Sequence, residues 1–246
     1  MMEKEVILGL VSAAVAVISA FLAIKGQITA TQVASELESL RLAEIRRIDA
    51  EKNTAKYREP LAHAVYDPQS RLYNILTLDF LGEYYIRGDE RSRAYVVENT
   101  TFLIAQYFAW TEIVRRDIQY IDAGGNEQTR TLARLRDGIY TLFQTDRYHR
   151  LLRVFAGEQR AIGERMIFEG PRGLECIGYA AFLFRVDTGL DSLTAALRDD
   201  VQNVGMDLKS AAPRLVALQS SLVDLLALLD PEYIRFPRNW RTKIHA

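Results

Sequence analysis

One cysteine, Cys176, stands in a chain of 246 residues, so no intramolecular disulfide can staple the fold. Histidine is almost as scarce: His63, His149 and His245 are the whole supply. A ferritin-like di-iron centre needs two Glu-x-x-His pairs from bundle helices, and no Glu-x-x-His occurs here. Glu59 and His63, one helical turn apart, are too few ligands for a zinc or iron site. Phosphate-cradling Gly-x-x-x-x-Gly-Lys-Ser/Thr and Gly-x-Gly-x-x-Gly loops are missing, as is the Gly-x-Ser-x-Gly elbow of many hydrolases. Enzymes built on those motifs are disfavoured, and no cofactor or metal is expected. There is no basic excess either. Thirty-one Lys and Arg face 32 Asp and Glu, for a net charge of −1 and a pI near 6.3, so no global field draws the chain to nucleic acid. Six prolines and fourteen glycines form no linker-like tract, no stretch of strand length alternates apolar and polar residues, and no solenoid period repeats.

What the chain does have is Val6 to Ile24, VILGLVSAAVAVISAFLAI, nineteen residues without charge, proline or amide. As a helix rising about 1.5 Å per residue it reaches roughly 30 Å, the thickness of bilayer hydrocarbon. A cleaved signal peptide would start basic and have a shorter apolar core. This one starts MMEKE, and its Ala14-Val15-Ala16 triplet lies inside the run. The expectation is an uncleaved single-pass anchor in a cell membrane, residues 1–25, with the bilayer as partner. Lys25, then Arg41, Arg46 and Arg47, follow the span, against Lys4 before it. The positive-inside rule therefore turns the rest of the chain toward the cytoplasm. Gly9, Ala13, Ala16, Ala20 and Ala23 recur in steps of four and three, a small-residue stripe through which two copies could associate.

Residues 26–57 are rich in Ala, Glu, Arg and Leu and carry the spaced pairs Glu38/Arg41, Glu44/Arg47 and Asp49/Lys52. They read as a helical stalk. Residues 58–230 read as an antiparallel helical bundle, so the fold class is all-α. Pro60 and the Asp67-Pro68 pair look like helix starts, and the second helix is expected to run to about Arg87. Val96, Leu103, Tyr107, Trp110, Val114 and Ile121 mark the core face of a long helix from Glu90. Ala123 to Asn126 makes a turn. Leu132, Leu135, Ile139 and Leu142 mark a helix pairing antiparallel with it. A short helix is expected near Glu158 to Ile167, a buried one over Leu174 to Val186, and one capped by Asp191. The last carries Leu215, Leu218, Leu222, Leu225 and Leu229.

The polar constellation worth naming is AGEQRAIGERM. Glu158, Arg160, Glu164 and Arg165 crowd a glycine-bounded segment, and these four are the candidate ligand-binding residues. If the helix is buried its charges must pair, and a paired buried cluster can bind or exchange protons; on the surface they are ordinary ion pairs. Arg147, Arg150 and Arg153 form a basic stripe just before it. The tail, residues 231–246, alternates Phe236 and Trp240 with Arg235, Arg238, Arg241 and Lys243. It either touches anionic lipid or folds back on the bundle.

YREPLAHAVYDPQSRLYNIL, with GEQRAIGE later, resembles a group of uncharacterised single-span, helical membrane-anchored proteins. The resemblance covers Tyr57 to about Ala181. It implies one span and a helical head, and carries no activity, cofactor or catalytic residue. The sequence therefore points to a membrane-tethered helical interaction or scaffold protein with an unknown protein partner. The alternative is a ligand-sensing or enzymatic domain using the Glu158–Arg165 cluster.

Overall fold

A computed structural model of the chain describes residues 2–118, 127–171 and 173–244; for residues 2–14, 46, 47, 49–55, 117, 118, 128 and 129 it describes the backbone alone. The chain divides into two compact units, 1–52 and 53–246. It is an all-α protein with one small hairpin. The elements are α1 (Met2–Thr77), a π-helical turn (Gly82–Ile86), α2 (Glu90–Ile118), α3 (Glu127–Gln144) and α4 (Ala156–Met166). β1 (Ile167–Gly170), β2 (Gly173–Cys176), α5 (Tyr179–Thr188), α6 (Ser192–Met206) and α7 (Leu208–Leu229) follow, then a 3₁₀ turn (Arg238–Trp240).

In the first unit every described side chain is exposed. Val17, Ile18, Phe21, Leu22 and Ile24 are large apolar groups left open. Of the proposed span and stripe, Ala16, Ala20, Ala23 and Ile24 are exposed, while the side chains of Val6, Gly9 and Ala13 lie outside the described residues. Two helical stretches among the described residues are long and apolar enough to cross a membrane, Val15–Ile45 and Leu208–Leu229. The second has half its window buried in the protein, as a core helix does.

The second unit corrects the expected helix starts. Pro60 and Pro68 both sit inside α1. An internal proline removes a backbone hydrogen bond and costs about 3 kcal/mol. Here Tyr57, Leu61, Val65, Leu72 and Ile75 form one buried stripe across both prolines. Each such side chain gains about 1.5–3 kcal/mol on burial, so packing overrides the breaker. The helix stops instead at Thr77, where Asp79 takes a left-handed conformation (φ 51°).

Leu174 to Val186 is not one buried helix. Its first residues pair as β2 antiparallel to β1, Ile167 opposite Cys176 and Gly170 opposite Gly173. The remainder is α5, in which only Phe182 is fully buried while Phe184 is 68% exposed.

α2 also has a different neighbour from the one expected. It packs chiefly on α4 and α6, and α3 packs on α7. The cause is Gly163. A Cβ there would stand 2.7 Å from the carbonyl oxygen of Phe108, so only glycine lets the α4 backbone close onto α2. α3 reaches α2 through an edge-on aromatic contact, Phe108 to Phe143 at 4.9 Å between ring centroids. Ile121 and the Ala123–Asn126 turn lie outside the described residues. α7 supplies the centre of the core with Leu215, Leu218, Leu222, Leu225 and Leu226, all at most 1% exposed.

The tail folds back. Phe236 is buried, stacked on Tyr66 at 4.4 Å and edge-on to His63. Arg241, also buried, donates to the Asp230 carboxylate and carbonyl and to the Phe236 carbonyl. Asp230 further accepts from the amides of Ile234, Arg235 and Phe236. Burial works against its charge, yet these donors hold its pKa below the ordinary carboxylate value. Arg235 pairs with Glu59 and Lys243 with Asp224. Most of the basic groups offered to lipid are thus engaged by the head, though Trp240 is 53% exposed.

Candidate functional site

α4 positions the four sequence-derived candidates, and it does not bring them together. Glu158 turns back to the start of its own helix, where its Oε2 accepts the Phe155 amide at 2.8 Å in a capping box. Arg160 is exposed and lies 5.9 Å from the centre of the Tyr140 ring. Glu164 is half-exposed and takes Arg116 at 2.8 Å. Arg165 is exposed, and its carbonyl accepts from the Arg185 guanidinium. Neither Glu158–Arg165 nor Arg160–Glu164 forms an ion pair among the described residues. The uncharged Gln159 turns inward instead, 2% exposed, its amide group donating to the carbonyls of Tyr140 (3.0 Å) and Val154 (2.9 Å). A helix this short on the surface shows its charges to water and its amide to the core.

The buried charge near α4 lies on α2. Glu112, 3% exposed, accepts from Arg115 (2.6 and 2.7 Å) and Arg116 (2.9 Å), and Arg116 continues to Glu164. Burial opposes its ionisation, but the two guanidiniums win and hold its pKa below the usual range. All three partners are consumed by one another, which suits a strut joining α2 to α4.

Beside the start of α4 is a wide basin of about 640 Å³, lined by His149, Arg150, Arg153, Phe155, Asp200 and Asp207 among others. Arg150 and Arg153 of the basic stripe meet here; Arg147 is exposed and is not part of the lining. Burial pushes the Asp200 carboxyl up to about 6, with Glu158 and Asp199 adding to the rise and Arg214 and Arg150 opposing it. Folding therefore keeps a proton on Asp200 that the unfolded chain, titrating near 3.8, has already lost. The sign is negative: native stability falls as pH climbs from about 4 through 6. Asp200→Asn should raise the unfolding midpoint at pH 8 and leave it unchanged at pH 4. The gain at pH 8 should be about 1 kcal/mol, because water still reaches the carboxylate. Thermal melts of both forms across that range check it.

Behind the basin wall lies a residue that sequence reasoning missed. Arg214 on α7 is 0% exposed. Its guanidinium donates to the carbonyls of Leu142, Phe143 (2.9 Å), Thr145 (2.9 Å) and His149 (3.1 Å), gathering the end of α3 and the loop after it. Cations belong at a helix C-terminus, where unpaired carbonyls converge. Its place on the Ala211–Leu215–Leu218 face was the available signal. Cys176 is half-buried, and burial pushes its thiol up to about 12, so it is not a nucleophile at neutral pH. Among the described residues no group of three or more His, Cys, Asp or Glu is placed to hold a metal ion. No family model, curated protein or solved structure matches this chain.

Proposed function

We propose that this protein is a membrane-tethered helical interaction or scaffold protein, anchored by its N-terminal helix with the head on the cytoplasmic side. The observation that carries the reading is the run of exposed large apolar side chains, Val15, Val17, Ile18, Phe21, Leu22, Ile24 and Ile28. Such a run is stable in lipid and a liability in water. The basic residues following the span support the orientation. On the head, Phe184 of α5 and Phe168 of β1 are exposed at 68% and 43%, which supports a protein-binding role. The four α4 candidates do not converge on one another, which gives a catalytic reading little support.

The full-length chain should stay in the membrane pellet through both high-salt and alkaline carbonate washing, with less than about a tenth released. Those washes strip proteins held by charge or by partners and leave a spanning helix in place. Release of most of the chain by carbonate would sink the tether. Pull-down of full-length protein in mild detergent, repeated with Phe184→Ser, then asks whether the α5 face selects a partner.

A further inference from the structure

The first unit leaves an apolar helix face uncovered beyond the span. Val33, Leu37 and Leu40 of α1 are 48%, 62% and 64% exposed. At about 1.5 Å of rise per residue they stand roughly 13 to 24 Å past Ile24, so bilayer hydrocarbon does not reach them. Their spacing continues a seven-residue pattern that begins inside the span. In steps of three and four the seam passes Ala16, Ser19, Ala23, Gly26 and Ala30 before it reaches those three. Every large apolar side chain from Val15 to Ile28, Phe21 and Leu22 among them, falls off it.

The seam thus changes residue size near the point where the helix leaves the bilayer, and each part suits its surroundings. In lipid, apolar surface gains nothing by being covered, and small residues let two backbones approach closely. In water, larger side chains interlock as knobs in holes and are withdrawn from solvent. One seven-residue repeat running through both parts fits a partner helix that lies alongside throughout and coils left-handed with it. The small residues alone name no partner; the charges beside the large ones do. Glu36 and Arg41 are exposed on opposite flanks of Leu37 and Leu40, and neither enters an ion pair among the described residues. At five residues apart they hold the positions that face each other between two parallel copies, Glu36 of one against Arg41 of the other, twice over by symmetry. The next two seam positions fall on Glu44 and Arg47, which end it.

We propose that α1 pairs in parallel with α1 of a second copy of this chain, along the seam from Ala16 to Leu40. The pairing rests on the tether, which sets both copies side by side in one bilayer and in one direction.

The test uses full-length protein carrying Cys176→Ser, floated with phosphatidylcholine vesicles at high dilution in lipid and oxidised with copper phenanthroline. Ala30→Cys and Val33→Cys, on the seam, should form disulfide-linked dimer at least about tenfold faster than Gln32→Cys and Ser35→Cys, on the outer face. Leu37→Glu sets two like charges against each other in the seam. It should slow cross-linking through Ala30→Cys at least about tenfold, with helical content unchanged because Leu37 is exposed in the single chain. Glu36→Arg should slow it severalfold, and Glu36→Arg combined with Arg41→Glu should restore it. Equal rates at all four cysteine positions would mean random collision. No dimer at any of them would mean that the head or another protein covers this face. Either result overturns the pairing, while flotation shows the tether intact. A double charge variant no faster than Glu36→Arg would overturn the parallel register. Chain that does not float with the vesicles would remove the tether and the pairing together.

Discussion

Arg214→Met is expected to destabilise the head by about 3–5 kcal/mol, measured by denaturant unfolding of the full-length protein in detergent with near-ultraviolet circular dichroism as the probe. Methionine fills much the same space, so the loss comes from the carbonyls and not from a hole. Four of them, at Leu142, Phe143, Thr145 and His149, converge on one guanidinium that is fully buried. Without it, the last turn of α3 keeps its orphan acceptors in a place water reaches poorly. Arg214→Lys makes the argument sharper. It keeps the charge but offers three donors from a point and not a planar fork, so it should recover less than half of the loss. The same substitution has a distant signature. Arg214 opposes the upward shift of Asp200, so its removal should drive that carboxyl above 6 and move the pH-dependent part of stability alkaline. A loss below about 1 kcal/mol in Arg214→Met would show that the loop hydrates its own carbonyls and that Arg214 is incidental.

The helix that holds Arg214 was the most legible element in the chain, and Arg214 itself was not. The leucine spacing from Leu215 to Leu229 announces α7 and its buried face. Arg214 and Gln219 sit on that same face, but a charge or amide inside an apolar stripe is hidden by the leucines around it. Gln219 bonds the Thr242 carbonyl and the Ile244 amide and so clamps the tail, a contact between residues more than twenty positions apart that no local pattern encodes. Asp191 was readable because capping is local: its carboxylate accepts the amides of Leu193 and Thr194, two and three residues on. The β1–β2 hairpin was not readable, since four-residue strands are too short to show alternation. At the candidate site, charge density singled out α4, and the charged side chains it picked lie at or near the surface. Glu158, Glu164 and Arg165 are turned to the helix start, a neighbouring arginine and solvent. Gln159, without charge, is the one that enters the interior. Sequence shows which residues are polar; which of them face inward is decided by how α4 rolls against α2.

That roll is fixed at Gly163, and Gly163→Val should cost about 3 kcal/mol or more and loosen everything α4 positions. A Cβ at this position would lie 2.7 Å from the Phe108 oxygen, 2.8 Å from its carbon and 3.2 Å from the Ala109 nitrogen. All three are backbone atoms of a packed helix, so no side-chain rotation can make room and α4 must back away. Backing away uncovers Ile162 and Met166, each 1% exposed, and pulls Gln159 from the two carbonyls it serves. The control is Gly138→Ala. Gly138 is also inside a helix, α3, but nothing lies within 4 Å of its added Cβ. There the substitution removes only the backbone entropy of glycine and should stabilise by about 0.5–1 kcal/mol. Two glycines in helix interiors should thus respond with opposite signs, read as unfolding midpoints on the same protein. Gly163→Ala falls between them and should still be destabilising, because even one methyl meets backbone. If Gly163→Val melted with the parent, the close crossing of α2 and α4 would not be what holds the head together.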